Sequence, residues 1–247
     1  RYENGEITVL DTIYSTDAPA MVYGASGYGD ILYLLTGEMR PQYTENGEPR
    51  KNPDFSGKYT VIAYRSGAKP NDLICLSGDL GAAYMGLHLL EREKRACGGQ
   101  PDPKPKFEGH EYILGRQLKP EARTDIIERL AEAGIVPTSM IDITDGLASE
   151  TLHLCKSSGC GARIYLDRLP IARQTHDMAE ELHADPVVAA LNGGQDYELL
   201  FTVPLSKQQE IFALGVDVIG HVTAAGTGAM LVTPDGSEIA LKAPGWK

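Results

Sequence analysis

The sequence predicts a mixed α/β (α+β) domain preceded by a segment of different character. Three observations carry this. Between residues 59 and 242, short β-branched and apolar runs alternate with helical patterns, as in a sheet with helices packed on it. Some strand patterns follow one another directly, at 216–222, 229–234 and 238–242, so the sheet is mixed rather than wholly parallel. Residues 1–58 lack that rhythm, and 40–57, "RPQYTENGEPRKNPDFSG", is polar and turn-rich with Pro41, Pro49 and Pro53. The chain therefore reads as an atypical N-terminal segment over 1–58, a remnant or rearranged part, and an α/β domain over 59–247.

In the first segment "EITVLDTIY" (6–14) alternates like a strand, "GASGYGD" (24–30) reads as a glycine-rich loop, and "ILYLLTGEM" (31–39) suits a short helix or a buried strand. The glycines at 24, 27 and 29 lack a clean strand-to-helix context, so a plain loop is favoured over a nucleotide loop. From Tyr59 onward, strands are expected at 59–65, 72–78, 139–143, 161–167 and 196–203. Helices are expected at 79–96, 120–134, 145–159, 174–184, 185–193 and 205–215. The 120–134 helix has Pro at its start and Gly just past its end. "PDG" turns 229–242 into a hairpin.

The net charge of −11 repels a polyanion, and no dense Lys/Arg block offsets it, so nucleic-acid binding is not expected. No apolar run reaches the roughly 18 residues that span a bilayer, and no membrane partner is expected. Cys75, Cys97, Cys155 and Cys160 contain no CxxC pair. Free thiols in a reducing, cytoplasmic setting are favoured over zinc or a Cys155–Cys160 bridge.

The chemistry-bearing text begins with "SMIDITDGLASE" (139–150). If the strand ends near Ile143, Asp142 stands at its C-terminal end, Thr144 turns the chain, and Asp145 caps the next helix. A helix N-terminus favours a phosphate, and two carboxylates beside it suit Mg²⁺, which takes carboxylate and phosphate oxygens together. Capping alone would explain Asp145 but not Asp142. "YRSGAKPND" (64–72) carries Arg65 and Lys69 around a small-residue turn; Arg offers a phosphate fork and Lys a point charge, while a solvated basic turn is the plainer reading. "LNGGQDYELLF" (191–201) passes through Gly193 and Gly194 into a strand, so that Gln195, Asp196 and Glu198 either line a pocket mouth or edge a tight turn. Trp246, in the closing "APGW", either pins the terminus or stacks on a flat ring.

Taken together, "YRSGAKPND", "SMIDITDGLASE", "NGGQDYELLFTV" and "APGW" resemble the thiamine-monophosphate kinase family over roughly residues 59–247. The "LERE" helix end and "RQLKPEARTDIIERL" look like the same family. The DxxDGL pattern alone fits the wider superfamily with aminoimidazole ribonucleotide synthetase, whose C-terminal domain is the fold the resemblance implies. It implies direct transfer of the γ-phosphoryl of ATP to thiamine monophosphate, with Mg²⁺ and no covalent phosphoenzyme, so no residue is assigned a covalent catalytic role. By resemblance Asp142 and Asp145 are metal ligands, Arg65 and Thr144 contact ATP, and Gln195 and Trp246 contact the thiamine substrate. A homodimer is part of the family picture.

Two departures accompany the resemblance. Gln195 stands where the family usually has Glu, losing a charge that favours a cationic thiazolium. The family's GDD, SD and GGDTT motifs are not found in 1–58, where Asp11, Asp17 and Asp30 stand in other surroundings. The alternative expectation is a non-catalytic or truncated member that only binds nucleotide or thiamine phosphate, or another ATP-dependent enzyme of the superfamily.

Overall fold

The computed structural model describes 2–3, 6–7, 20–28, 31–38 and 60–65 as strand backbone, and 67–98 and 104–243 with their side chains. The chain divides into two compact units, Arg1–Tyr64 and Arg65–Lys247.

In the first unit, β1 (Tyr2–Glu3) pairs antiparallel with β2 (Glu6–Ile7). β3 (Ala20–Tyr28), β4 (Ile31–Glu38) and β5 (Thr60–Arg65) form a three-stranded sheet in that order. Two expectations change here. The 24–28 part of "GASGYGD" is strand rather than loop, and Gly29 and Asp30 lie outside the described residues: Ala25 to Tyr28 pair in antiparallel register with Leu34 to Ile31, and Gly24, facing Leu35, follows an irregularity in the ladder after Val22. Glycine inside a strand often marks such an irregularity. The boundary expected at 58/59 lies instead at 64/65, because β5 gives its hydrogen bonds to this sheet.

The second unit begins with β6 (Leu73–Leu76), α1 (Ala82–Cys97), α2 (Glu111–Leu118) and α3 (Thr124–Glu132). β7 (Ser139–Asp142), α4 (Leu147–Ser158) and β8 (Gly161–Tyr165) follow. Then come α5 (Arg173–Leu182), α6 (Pro186–Asn192), β9 (Leu199–Val203) and α7 (Gln208–Ala213). β10 (Asp217–Thr223), β11 (Ala229–Val232) and β12 (Glu238–Ala240) close the unit. The sheet has seven strands in the order β12-β11-β8-β10-β6-β9-β7. Only β11 and β8 pair in parallel. The mixed sheet expected from adjacent strand patterns is what forms.

Every residue of β6 and of β9 is buried, which accounts for their near-continuous apolar text. Along β9, Leu200 joins the core that contains Ile74, Leu76, Leu147, Leu154, Ile164 and Ile219. Phe201, on the opposite face by strand alternation, is also fully buried. A second cluster of Met85, Leu89, Ile113 and Met178 ties α1, α2 and α5 together. Each such side chain taken fully out of water contributes about 1.5–3 kcal/mol.

Local signals set some helix ends and long-range contacts others. Asp185 caps α6 by accepting from Val187 N at 2.8 Å, with Pro186 in the first helical position. Gly159 ends α4 in the left-handed conformation, φ 63°. The helix expected over 120–134 begins only at Thr124, because Arg123 is drawn away by tertiary hydrogen bonds, including one to the Ser77 carbonyl at 2.7 Å. Helix α2 lies where no element was assigned from the sequence.

Candidate functional site

β6 and β7 both pair antiparallel with β9, which lies between them, so they run in the same direction. Their C-terminal ends and the N-terminal end of β9 meet at one edge of the sheet. Three loops converge there: 77–81, 143–146 and 193–198.

Asp142 is the last residue of β7 and pairs with Leu199. It is half-buried, and burial pushes its carboxyl above the ordinary value. Among the described residues no cationic side chain forms an ion pair with it or with the exposed Asp145. Asp145 does not cap α4, as the sequence suggested: the cap position is Gly146, with no side-chain cap hydrogen bond. Gly146 is required there because its φ is 100° and a Cβ would sit 2.6 Å from the Leu191 carbonyl. Glu150, in the first turn of α4, instead reaches back to the turn that precedes the helix. Its carboxylate accepts from Asp145 N at 3.2 Å and from the Thr144 hydroxyl at 3.3 Å. Burial also raises the Glu150 carboxyl, and the charges of Asp145 and Asp142 add to the rise. Three acids thus crowd the start of α4, a local field that a cation would relieve.

The 193–198 loop lies against this turn. Ile143 N donates to the Glu198 carbonyl at 2.8 Å, Tyr197 N to the Ile143 carbonyl at 2.9 Å, and Gln195 N to the Thr144 carbonyl at 2.8 Å. Gly194, φ 71°, is packed so closely that a Cβ would collide with the Thr144 carbonyl oxygen. The close approach expected of the double glycine is therefore to Thr144 and Asp145. Gln195 and Tyr197 are themselves left-handed, φ 62° and 54°, and such strain in non-glycine residues concentrates at functional sites. The Gln195 side-chain oxygen accepts from the Tyr197 hydroxyl at 3.0 Å.

Asp196 and Glu198 do not line a pocket mouth; each is 2% exposed. Asp196 accepts from Gly81 N at 2.9 Å and Ala83 N at 3.3 Å, so it caps α1 from across the chain. Burial lifts its carboxyl to about 7, against the opposing pull of these N–H groups and Arg116. Glu198 receives Arg116 Nη1 at 2.9 Å, Arg123 Nη1 and the Ser77 hydroxyl. Arg116, Arg123, Ser77 and Asp79 were not singled out from the sequence. The available signal was a pair of arginines flanking the Pro120 turn in "RQLKPEAR".

The other expected residues fall elsewhere. Lys69 is exposed in the turn before β6, at the opposite sheet edge from Asp142, and its backbone N donates to Asp72 at 2.9 Å. Lys69 therefore fits the plain reading of a solvated turn. Arg65 ends β5 and its side chain lies outside the described residues, as does Trp246. All four cysteines are free. Among the described residues no helix is long and apolar enough to cross a membrane, and no group of three or more acidic, His or Cys side chains is arranged to hold a metal ion by itself.

The AIR synthase related protein C-terminal domain matches residues 69–233. A thiamine-monophosphate kinase of Halobacterium salinarum is 30% identical over 256 residues, covering 96% of this chain and 78% of that protein. This chain belongs to the thiamine-monophosphate kinase family. The Halobacterium alignment takes in most of residues 1–58, which the sequence motifs had left outside the resemblance. The Aquifex aeolicus thiamine-monophosphate kinase is 32% identical over 184 residues, covering 74% of this chain and 53% of that protein. The chain thus spans about half the length of that relative. The solved structure of AaThiL complexed with AMPPCP and TMP has a TM-score of 0.62 at 30% identity, covering 77% of this chain and 56% of that one. The α/β fold of the family is thereby established for the second unit.

Proposed function

We propose that the protein transfers the γ-phosphoryl group of ATP to the phosphate of thiamine monophosphate. A phosphate oxygen of thiamine monophosphate bonds to the γ-phosphorus while the bond to the bridging oxygen breaks, leaving ADP and thiamine diphosphate. The observation that carries the reading is the convergence of the 143–146 and 193–198 loops at the end of β7, in a chain of this family. AMPPCP and TMP in the AaThiL structure support the two substrates.

Asp142 and Asp145 fit a Mg²⁺ ion as partial ligands. The raised Asp142 carboxyl lacks a described ion-pair partner and sits among like charges. Two carboxylates are what Mg²⁺ usually takes from a protein when phosphates complete its shell. When bound, the ion neutralises charge on the phosphates. The chain's own contribution is placement. Thr144 is a hydroxyl that donates its one proton to Glu150 in the free protein; in the reading it turns that proton to a nucleotide phosphate oxygen instead. Gln195, held at both backbone and side chain, faces the thiamine substrate. Arg65 and Trp246 complete the reading as nucleotide and thiazolium contacts. No covalent phosphoenzyme is part of it, because in-line transfer needs positioning and charge stabilisation alone. A cytoplasmic homodimer belongs to the same proposal.

The test is calorimetric titration with a non-hydrolysable ATP analogue, with and without Mg²⁺, on the parent and Asp142→Asn, followed by assay of thiamine diphosphate formation. Magnesium-dependent binding that is lost in the variant, together with turnover in the parent, supports the reading. Binding without turnover of thiamine monophosphate favours a nucleotide-binding member. Absence of both refutes the proposal.

A further inference from the structure

The buried ion cluster at the end of β6 has no role in the reading above. Glu198 is 2% exposed, yet its carboxylate meets two guanidinium groups and a hydroxyl. Arg116 arrives from α2 and Arg123 from the turn before α3. Arg116 Nη2 also reaches the carbonyls of Asp79 at 3.1 Å and Asp196 at 3.3 Å. Arg123 is braced from its other side by Asp125, at 2.9 Å and 3.0 Å. The Ser77 hydroxyl donates to Glu198 and accepts from Leu199 N at 2.7 Å. Gly78 makes room for this arrangement: a Cβ there would sit 2.8 Å from both Arg123 Nη1 and Glu198 Cδ.

Buried ion pairs are poor stabilisers compared with apolar packing of equal volume. What they add is direction, because a carboxylate with several charged donors has one orientation. Here the oriented residue is bonded through its backbone to the site: the Glu198 carbonyl accepts from Ile143 N, next to Asp142, and Tyr197 N donates back to the Ile143 carbonyl. The left-handed Gln195 and Tyr197 need an external restraint to hold their conformation.

We propose that Glu198, clamped by Arg116 and Arg123, is a positioning residue that sets the 193–198 loop against Asp142–Asp145 and so aligns the metal-binding and substrate-binding sides of the site. The proposal deepens the phosphotransfer reading and rests on it for its catalytic consequence. Its structural half does not.

The experiment compares the parent with Arg123→Lys, Glu198→Gln and the charge-balanced pair Glu198→Gln with Arg116→Gln, which leaves Arg123 paired with Asp125. The pair guards against misfolding from a lone buried charge. Amide hydrogen exchange is read at Ile143, Gln195 and Tyr197, and turnover is expressed per nucleotide-binding site measured by calorimetry. Loss of one clamp bond is expected to speed exchange at these amides by about tenfold, with Ile164 of β8 unchanged. Turnover per binding site falls by about 100-fold, as for a small misplacement of reacting groups. A merely structural role lowers the number of binding sites but not the turnover of each. Unchanged exchange at the three amides overturns the clamp whatever the activity. Faster exchange with unchanged turnover per site overturns its catalytic role. A parent that neither binds nucleotide nor turns over refutes the phosphotransfer reading, and exchange alone then judges the clamp.

Discussion

Gly194→Ala tests the packing of the site most directly. At φ 71° an added Cβ costs about 1–2 kcal/mol in backbone strain alone. It also collides with the Thr144 carbonyl oxygen and comes within 3.2 Å of Asp145 Cα. Neither neighbour is a flexible side-chain tip, so the 144–145 backbone must move, adding about 1–3 kcal/mol as overpacking does. The expected loss is about 2–5 kcal/mol from these two contributions together. Gly215→Ala is the control: φ is 64°, but nothing lies within 4 Å of its Cβ, so it carries only the strain. Urea unfolding of both variants, at unchanged m-value, isolates the collision as the difference in stability. Calorimetry with magnesium and an ATP analogue then reads whether nucleotide binding at the 144–145 turn weakens in Gly194→Ala alone. Equal stability losses in the two variants, or a Gly194→Ala protein with parental nucleotide binding, would refute the argument that the glycine exists for this contact.

Gln195→Glu restores a carboxylate at a half-buried position. It is expected to lower the KM for thiamine monophosphate about fivefold, roughly 1 kcal/mol of screened attraction. Steady-state kinetics in low and high salt checks this, and a KM that rises sinks the cationic-ring argument. Asp196 has a folded-state pKa of about 7 against an ordinary 3.8. Between those values the folded chain holds a proton the unfolded chain has released, so this residue makes stability fall as pH rises, by at most about 1.4 kcal/mol per unit. Asp196→Asn removes that component, so the stability difference between parent and variant should change across pH 4–7; a constant difference refutes it. Burial pushes the Cys155 thiol up to about 12, so thiol-specific labelling at pH 7 should be slow in the folded protein and fast in urea. Rapid native labelling of Cys155 contradicts its burial.

Much of the second unit was legible because its signals are local. The apolar runs of β6 and β9, the Pro and Asp that open α6, and the glycine that ends α4 act within a few residues of chain. So does the text around Asp142, whose place at a strand end follows from period and turn chemistry. The errors have one cause. Glycines 24 and 27 were read as a loop from composition, but a β-ladder supplied by a partner strand overrides that preference. Arg123 was read as helical, but Glu198, 75 residues away in sequence, holds it outside α3. Asp196 and Glu198 looked like surface polar residues because nothing local reveals that α1 needs a cap or that two arginines need a carboxylate. Sequence alone thus determined the class of fold, the family and the strand-end acids. Tertiary structure decided which carboxylates face the site and which are spent inside the protein, since burial and long-range hydrogen bonds depend on residues far apart in the chain.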